Sequence, residues 1–155
     1  HNIEKVGHEA RKQNVLNELV FMMWAQVMFH FERQLYRYPN QDLNKLWWDL
    51  VKRYQLIDFS RDKPDWASKT HISSAPAYYH NYVLGKLLAS QLNHIISVDI
   101  LKSNIASPDY SNEKVGEFLV NNLFIYGKKY RWDILVDKVV GEPLMAKYFV
   151  KEFCS

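Results

Sequence analysis

The chain has 155 residues, of which 48% are hydrophobic and 15% aromatic, a composition that excludes an intrinsically disordered protein. This length fits one domain, or a piece of a larger one, with a sizeable buried core. The formal net charge is +3 and basic and acidic residues are interleaved, so the chain lacks the concentrated basic stripe of a nucleic-acid-binding surface.

The apolar spacing is mostly helical and predicts an all-α fold, and the longest predicted helix covers residues 14–38. Its apolar residues recur at steps of three and four: Leu16, Leu19, Val20, Met23, Val27, Phe31 and Leu35. The middle of this segment is apolar on nearly every side, so we expect a central, buried helix. Pro39 ends it, because the proline ring cannot continue the backbone hydrogen bonds.

A second helix is predicted over residues 41–54, with Asn40 as its N-cap. Residues 56–72 have no clear apolar period and are interpreted as a long connection, with a short β-hairpin within 57–72 as an alternative. Long connections of this kind often carry function.

A third long helix is predicted from Pro76 to Leu101, with the proline in the first turn, where its missing N–H costs nothing. Shorter helices are predicted over residues 112–126, 131–140 and 143–153, with Ser111 or Asn112 as the cap of the first. The whole is expected to be an array of helices packed around residues 14–38 and 76–101.

No metal-ligand motif such as HExxH or CxxC occurs in the sequence, and the six histidines are scattered. His30 and His94 lie in apolar helices and are interpreted as hydrogen-bonded core histidines. The single cysteine, Cys154, has no patterned catalytic partner. No apolar run approaches the length of a membrane-spanning helix.

The stretch KTHISSAPAYYHNYVLG, residues 69–85, concentrates side chains that can donate hydrogen bonds. The donors of interest are Lys69, His71, Tyr78, Tyr79 and Tyr82. Lys69 and His71 alternate on what we expect to be an extended segment, which puts them on one side of it. Tyr79 and Tyr82, three apart on a helix, share a face, whereas Tyr78 lies about 100° away. Such donors suit an anion or a developing oxyanion, although the polar rim of an ordinary core explains the spacing equally well.

Several segments resemble one family of zinc peptidases. LWWDLVKRYQ at residues 46–55 resembles the WW-x-L-x-x-KYQ segment of the angiotensin-converting-enzyme-like peptidyl dipeptidases, the M2 family. KTH at 69–71 resembles that family's K-x-H, YHNY at 79–82 its Y-x-x-Y, and GEPLMAKYF at 141–149 its C-terminal end. The order and rough spacing of the segments agree with the family.

The related M3 oligopeptidases give a second resemblance. FHFERQLY at residues 29–36 is similar to their FE…Y helix, and their H…P-x-Y-x-x-x-Y-x-x-G pattern is similar to this sequence at five positions. Those positions are His71, Pro76, Tyr78, Tyr82 and Gly85.

The M2 resemblance implies a role for each donor. Lys69 and Tyr79 would bind the C-terminal carboxylate of a peptide substrate, and His71 and Tyr82 would stabilise the tetrahedral oxyanion. The interval from His71 to Tyr82 is one residue longer than in the animal enzymes. The roles given to Tyr79 and Tyr82 could therefore be displaced, with Tyr78 as the alternative. Asn81 stands where the family has a chloride-binding arginine, so chloride activation is not expected.

The resemblance also implies which part of a larger catalytic domain the chain forms. The family's HExxH helix and third zinc ligand precede the stretch that HNIEKVG resembles, so residues 1–155 are expected to be the C-terminal helical part of a catalytic domain, one lobe of a cleft-shaped gluzincin metallopeptidase. The zinc cofactor would be bound by the remainder of that domain, and this fragment alone would be inactive. An M3-type oligoendopeptidase fragment and a non-catalytic helical binding module are the alternatives, and the compartment stays open.

Overall fold

The computed structural model describes residues 2–105 and 108–154, with side chains from Val6 onwards. Within these stretches all regular structure is helical and no β-strand occurs, which confirms the predicted all-α fold. The chain forms two compact units, an N-terminal unit of residues His1–Val83 and a C-terminal unit of residues Leu84–Ser155. None of the described helices is both long and apolar enough to cross a membrane.

The N-terminal unit is built on two helices, α1 (Asn2–Arg37) and α2 (Leu43–Gln55). Helix α1 starts at Asn2 and not at residue 14 as predicted. The residues before 14 include Glu, Lys, Ala, Arg and Gln, which favour helix, but they lack the apolar period on which the prediction relied.

The core of this unit is aromatic. Phe31 and Trp47 are fully buried and meet edge to face, with ring centroids 5.2 Å apart. The other buried hydrophobic members are Ala25, Val27, Met28, Val51 and Tyr79. Of the predicted α1 stripe, Val27 and Phe31 are buried, whereas Leu16 and Val20 remain 55% and 48% exposed.

The predicted β-hairpin within 57–72 is wrong. This segment instead contains a 3₁₀ turn, Asp65–Ser68, followed by the short helix α3, Thr70–Ser74. Local polar contacts favour these turns: the Arg61 guanidinium donates to both carboxylate oxygens of Asp65 at 2.7 Å, and the Ser68 hydroxyl donates to the Asp65 carbonyl. The predicted cap of α2 is also wrong, because Asp42 and not Asn40 accepts the Lys45 N–H, at 2.9 Å.

The third long helix begins later than predicted. Helix α4 covers His80–His94, while Pro76 and Ala77 form a turn before it. The buried carboxylate of Glu32 accepts the Ala77 N–H at 3.0 Å, and Ala77 takes the left-handed backbone conformation, with φ of 54°. The end also differs, because a π-helix, Ile95–Ile100, follows α4 where a continuous α-helix was predicted.

The helices of the C-terminal unit follow the predicted pattern more closely. They are α5 (Glu113–Asn122), a 3₁₀ turn (Phe124–Tyr126), α6 (Trp132–Val140) and α7 (Lys147–Phe153). Asn112 caps α5 as predicted, accepting the Lys114 N–H at 3.1 Å. Gly141, with φ of 82°, ends α6 in the left-handed conformation that glycine adopts without strain.

Buried amides organise the interior of the C-terminal unit. Gln91, fully buried, donates to the Pro143 carbonyl and accepts the Met145 N–H, both at 3.0 Å. His94 was predicted to be hydrogen-bonded, but its Nδ1 is buried without a partner among the described residues, so that prediction is wrong for this atom. Its ring packs against Tyr148, with centroids 4.7 Å apart.

Candidate functional site

His71 and Tyr82 meet within the N-terminal unit. His71 lies in α3, not on an extended segment as predicted, and Tyr82 lies in the first turn of α4. The His71 Nε2 and the Tyr82 hydroxyl oxygen are 3.2 Å apart, within hydrogen-bonding distance. Tyr82 is 39% exposed, so this pair lies at the surface of the unit.

Tyr79 lies beneath that pair and belongs to the core. It is only 7% exposed, and its ring centroid is 5.1 Å from those of both His71 and Tyr82. The indole Nε1 of Trp24 donates to its hydroxyl oxygen at 2.7 Å. Burial raises the pKa of the Tyr79 phenol, and the neighbouring Tyr82 adds to this, against the opposing effect of the Trp24 hydrogen bond.

Tyr78 lies on the solvent side of the cluster. Its side chain is 47% exposed and its ring packs edge to face on Tyr82, with centroids 5.6 Å apart. Both Tyr78 and Tyr79 precede α4, so they do not lie on the helix on which the sequence placed them. The Tyr79 carbonyl accepts the Tyr82 N–H at 3.2 Å, which brings the two rings together at the start of the helix.

Lys69 lies over two indole rings. It has an extended backbone just before α3, and its Nζ is 5.3 Å from the ring centroid of Trp24 and 5.7 Å from that of Trp47. The amine lines a pocket of about 250 Å³ that also contains Arg61 and Asp65. The hydrogen bond from Arg61 lowers the pKa of Asp65, with a smaller contribution from the charge of Lys69.

Larger pockets occur elsewhere in the N-terminal unit. One of about 520 Å³ follows α1 from His8 to Leu19, and one of about 340 Å³ lies between the start of α2 and residues 60–62. Neither is lined by any of the five predicted donors.

Trp24 is the residue that sequence reasoning missed. It was counted only as part of the apolar middle of α1, yet it contacts both Lys69 and Tyr79. A buried indole usually finds a partner for its N–H, which is the signal that could have identified it. Phe21, one turn earlier on α1, packs edge to face on Tyr82, with centroids 6.1 Å apart.

Two tyrosines of the cluster keep hydroxyl protons that they can donate. When the His71 Nε2 carries a proton, it donates to the Tyr82 oxygen and leaves the Tyr82 hydroxyl proton for a third group. The Tyr79 oxygen accepts from Trp24, so its own proton is likewise left to donate. Together with the Lys69 ammonium, these groups suit an anionic or carbonyl oxygen.

The described residues do not provide a metal centre. Among residues 2–105 and 108–154, no group of three or more His, Cys, Asp or Glu side chains could hold a metal ion. His30, interpreted from the sequence as a core histidine, stacks on Tyr54 with ring centroids 5.1 Å apart.

Comparison of the chain with protein-family models, with curated proteins and with solved structures found no match.

Proposed function

We propose that this chain is the C-terminal helical part of the catalytic domain of a zinc peptidyl dipeptidase related to the M2 family, forming one lobe of its substrate cleft. The observation that carries the proposal is the contact between His71 and Tyr82, with Nε2 and hydroxyl oxygen 3.2 Å apart above the Tyr79 ring. The three residues come from the two motifs, K-x-H and Y-x-x-Y, on which the resemblance rests.

Lys69 and Tyr79 bind the C-terminal carboxylate of the peptide in this proposal. Lys69 supplies a positive charge beside two indole rings, where less water competes for it than at an open surface. Tyr79 supplies a hydroxyl proton. A cation at this position favours release of C-terminal dipeptides, because an endopeptidase has no free carboxylate to neutralise.

His71 and Tyr82 act on the scissile peptide bond. Their hydrogen bonds go to the carbonyl oxygen as it gains negative charge, so they bind the transition state more strongly than the substrate. Removing one such donor typically lowers the rate roughly 10²- to 10³-fold. Tyr78, exposed beside Tyr82, lines the approach to this pair.

Zinc is the cofactor that the family resemblance implies. In this proposal its ligands, the HExxH histidines and a glutamate, belong to the remainder of the catalytic domain, which would be the partner of this chain. Bound there, the metal would polarise the substrate carbonyl and activate water. The fragment alone is then expected to bind peptide weakly and to cleave none.

Peptide pairs that differ only in a free or an amidated C-terminus test the proposal in the full-length enzyme. We expect kcat/KM for the free peptide to be higher by roughly tenfold or more, the range of one charge-assisted hydrogen bond. Lys69→Met should remove most of this preference, whereas the exposed-site control Lys63→Met should keep it.

Two outcomes would overturn the proposal. Equal cleavage of both peptides by the unchanged enzyme would favour the M3-type oligoendopeptidase. Binding of the free peptide without cleavage by the full-length protein, with zinc supplied, would favour the non-catalytic binding module.

A further inference from the structure

We infer that Trp24 is a positioning residue: it holds the Lys69 ammonium and the Tyr79 hydroxyl, the two groups that bind the substrate carboxylate in the proposed function. The inference rests on that proposed function. Its basis is that one indole makes two different contacts: its N–H donates to the Tyr79 hydroxyl at 2.7 Å, and its ring lies 5.3 Å from the Lys69 ammonium.

The first contact sets the direction of the Tyr79 proton. A phenol oxygen that accepts a strong hydrogen bond from one side keeps its own proton for a group on another side. The Tyr79 side chain is 7% exposed, so few water molecules compete with Trp24 for that oxygen. The hydroxyl is therefore preorganised as a donor, which reduces the entropy lost when the substrate binds.

The second contact restrains a flexible cation. Lysine has a long side chain that loses considerable conformational freedom when it is held in one place. The face of an indole attracts an ammonium and limits where it can go without neutralising it, so the charge remains available to a carboxylate. Trp47 contributes a second ring on the same amine, at 5.7 Å.

Trp24 is itself firmly held. It precedes the fully buried Ala25 on α1 and meets Trp47 edge to face, with ring centroids 5.6 Å apart. A support of this kind must be rigid, since binding groups act best when packing fixes their geometry.

The test replaces the indole N–H while retaining an aromatic ring in the full-length enzyme. Trp24→Phe should raise KM for a free-carboxylate peptide roughly three- to tenfold, the range of one neutral hydrogen bond, with kcat nearly unchanged. Benzothienylalanine at position 24 keeps the shape of tryptophan but has sulfur in place of the N–H. It should reproduce the KM increase even if Trp24→Phe folds poorly.

Trp66→Phe is the matched control. Trp66 also packs on the core and also donates its indole N–H, but the acceptor is Asn44, at 3.0 Å, and not Tyr79. This variant should leave KM unchanged. An equal rise in KM for Trp66→Phe would mean that KM reports general loss of packing, and would overturn the inference.

A double variant isolates the hydrogen bond. In a Tyr79→Phe background, the benzothienyl replacement should add no further increase in KM, because the acceptor is already gone. If the KM increases of the two single variants multiplied in the double variant, the inference would be overturned. The proposed function fails separately: if Lys69→Met leaves the preference for free carboxylates intact, the carboxylate is not bound here at all.

Discussion

The two units of the molecule fill their interiors in different ways. In the N-terminal unit the largest buried side chains are apolar or aromatic, among them Met28, Phe31 and Trp47. In the C-terminal unit amides and hydroxyls are buried alongside the apolar residues. The buried polar side chains there are Ser90, Gln91, Asn93 and Ser97.

The two interiors differ in how strictly their contacts fix the geometry of the backbone. Apolar contacts are nearly non-directional, so the N-terminal unit can tolerate the loss of a hydroxyl at its edge without losing its fold. Buried amides are directional and costly when unpaired. Asn93 donates to the Ile105 carbonyl and to Glu152 and accepts from the Tyr110 hydroxyl, so it fixes irregular backbone that apolar packing alone would not. Glu32 is a buried polar side chain of the N-terminal unit, so the difference is one of degree: polar substitutions should lower stability more in the C-terminal unit.

The largest effect that the proposed function predicts is on activity, from Tyr82→Phe in the full-length protein. We expect kcat to fall roughly 10²- to 10³-fold with KM nearly unchanged, because in the proposed function the lost hydroxyl acts only on the transition state. The free energy of unfolding should hardly change, since the ring remains. Tyr79→Phe should instead raise KM, because a carboxylate is bound equally in substrate and transition state. Steady-state kinetics of both variants on one peptide measures this.

A specific result would show that the assignment of the tyrosines is displaced. If Tyr78→Phe abolished activity while Tyr82→Phe left it intact, the exposed Tyr78 would be the oxyanion donor. A KM effect alone from both Tyr79→Phe and Tyr82→Phe would contradict the division of roles.

The next effect is on stability, from Asn93→Leu in the C-terminal unit. This change leaves several partners unpaired at once, among them the fully buried Ser97 hydroxyl, and should lower the free energy of unfolding by about 2–4 kcal/mol. Asn122→Leu is the matched control at an exposed position, where the change should be within about 0.5 kcal/mol. Chemical denaturation of both variants measures the difference, and similar values would mean that the amide network does not distinguish the unit.

A smaller effect is expected to be common to both units. Leu56, at the end of α2, and Lys102, after the π-helix, are exposed residues with φ of 59° and 52°. Glycine adopts this conformation without strain, so Leu56→Gly and Lys102→Gly should each stabilise the protein by up to about 1 kcal/mol. A loss of thermal stability in either variant would mean that its side chain makes contacts worth more than the strain.

The smallest expected effect is a pH dependence from one histidine in each unit. Burial lowers the pKa of His30, aided by the charges of Arg33 and Arg53. Burial also lowers the pKa of His94, and the charge of Lys151 adds to it. As pH falls below the ordinary histidine value of about 6.5, the unfolded chain takes up these protons first. Stability is therefore lost as pH falls, until the lowered folded-state pKa is passed.

Thermal unfolding between pH 7.5 and pH 5 measures this dependence. His30→Gln and His94→Gln should each flatten the decline, and the exposed-histidine control His8→Gln should not. If the single variants retained the full decline, other groups would account for it.

Apolar spacing alone predicted the helical bodies, because burial of a helix face leaves a periodic trace in the sequence. The predicted helix boundaries are wrong where one side chain hydrogen-bonds a particular backbone group. The Glu32 carboxylate accepts the Ala77 N–H, and α4 begins later than predicted. The Asp42 carboxylate, and not Asn40, caps α2. Such pairings leave no periodic trace, since they depend on residues that are distant in sequence or on competition between neighbouring caps.

For the candidate site, the sequence predicted which donor residues are involved but not how their side chains contact one another. Lys69, His71, Tyr79 and Tyr82 were singled out because they can donate hydrogen bonds. The structure brings the rings of His71, Tyr79 and Tyr82 into contact, and Lys69 lies against the Trp24 ring. Trp24 was not singled out, because the sequence of an apolar helix does not show whether an indole N–H has a hydrogen-bond partner.

The hydrogen bonds that hold the Tyr79 region bear on the order in which the protein folds. Trp24 and Tyr79 are 55 residues apart in sequence, and Glu32 and Ala77 are 45 apart. Closing such loops costs more chain entropy than pairing α1 with the nearby α2, so the helical pair should form first and the donor cluster last. For the same reason we expect the amides of residues 70–82 to exchange with solvent before those of α2.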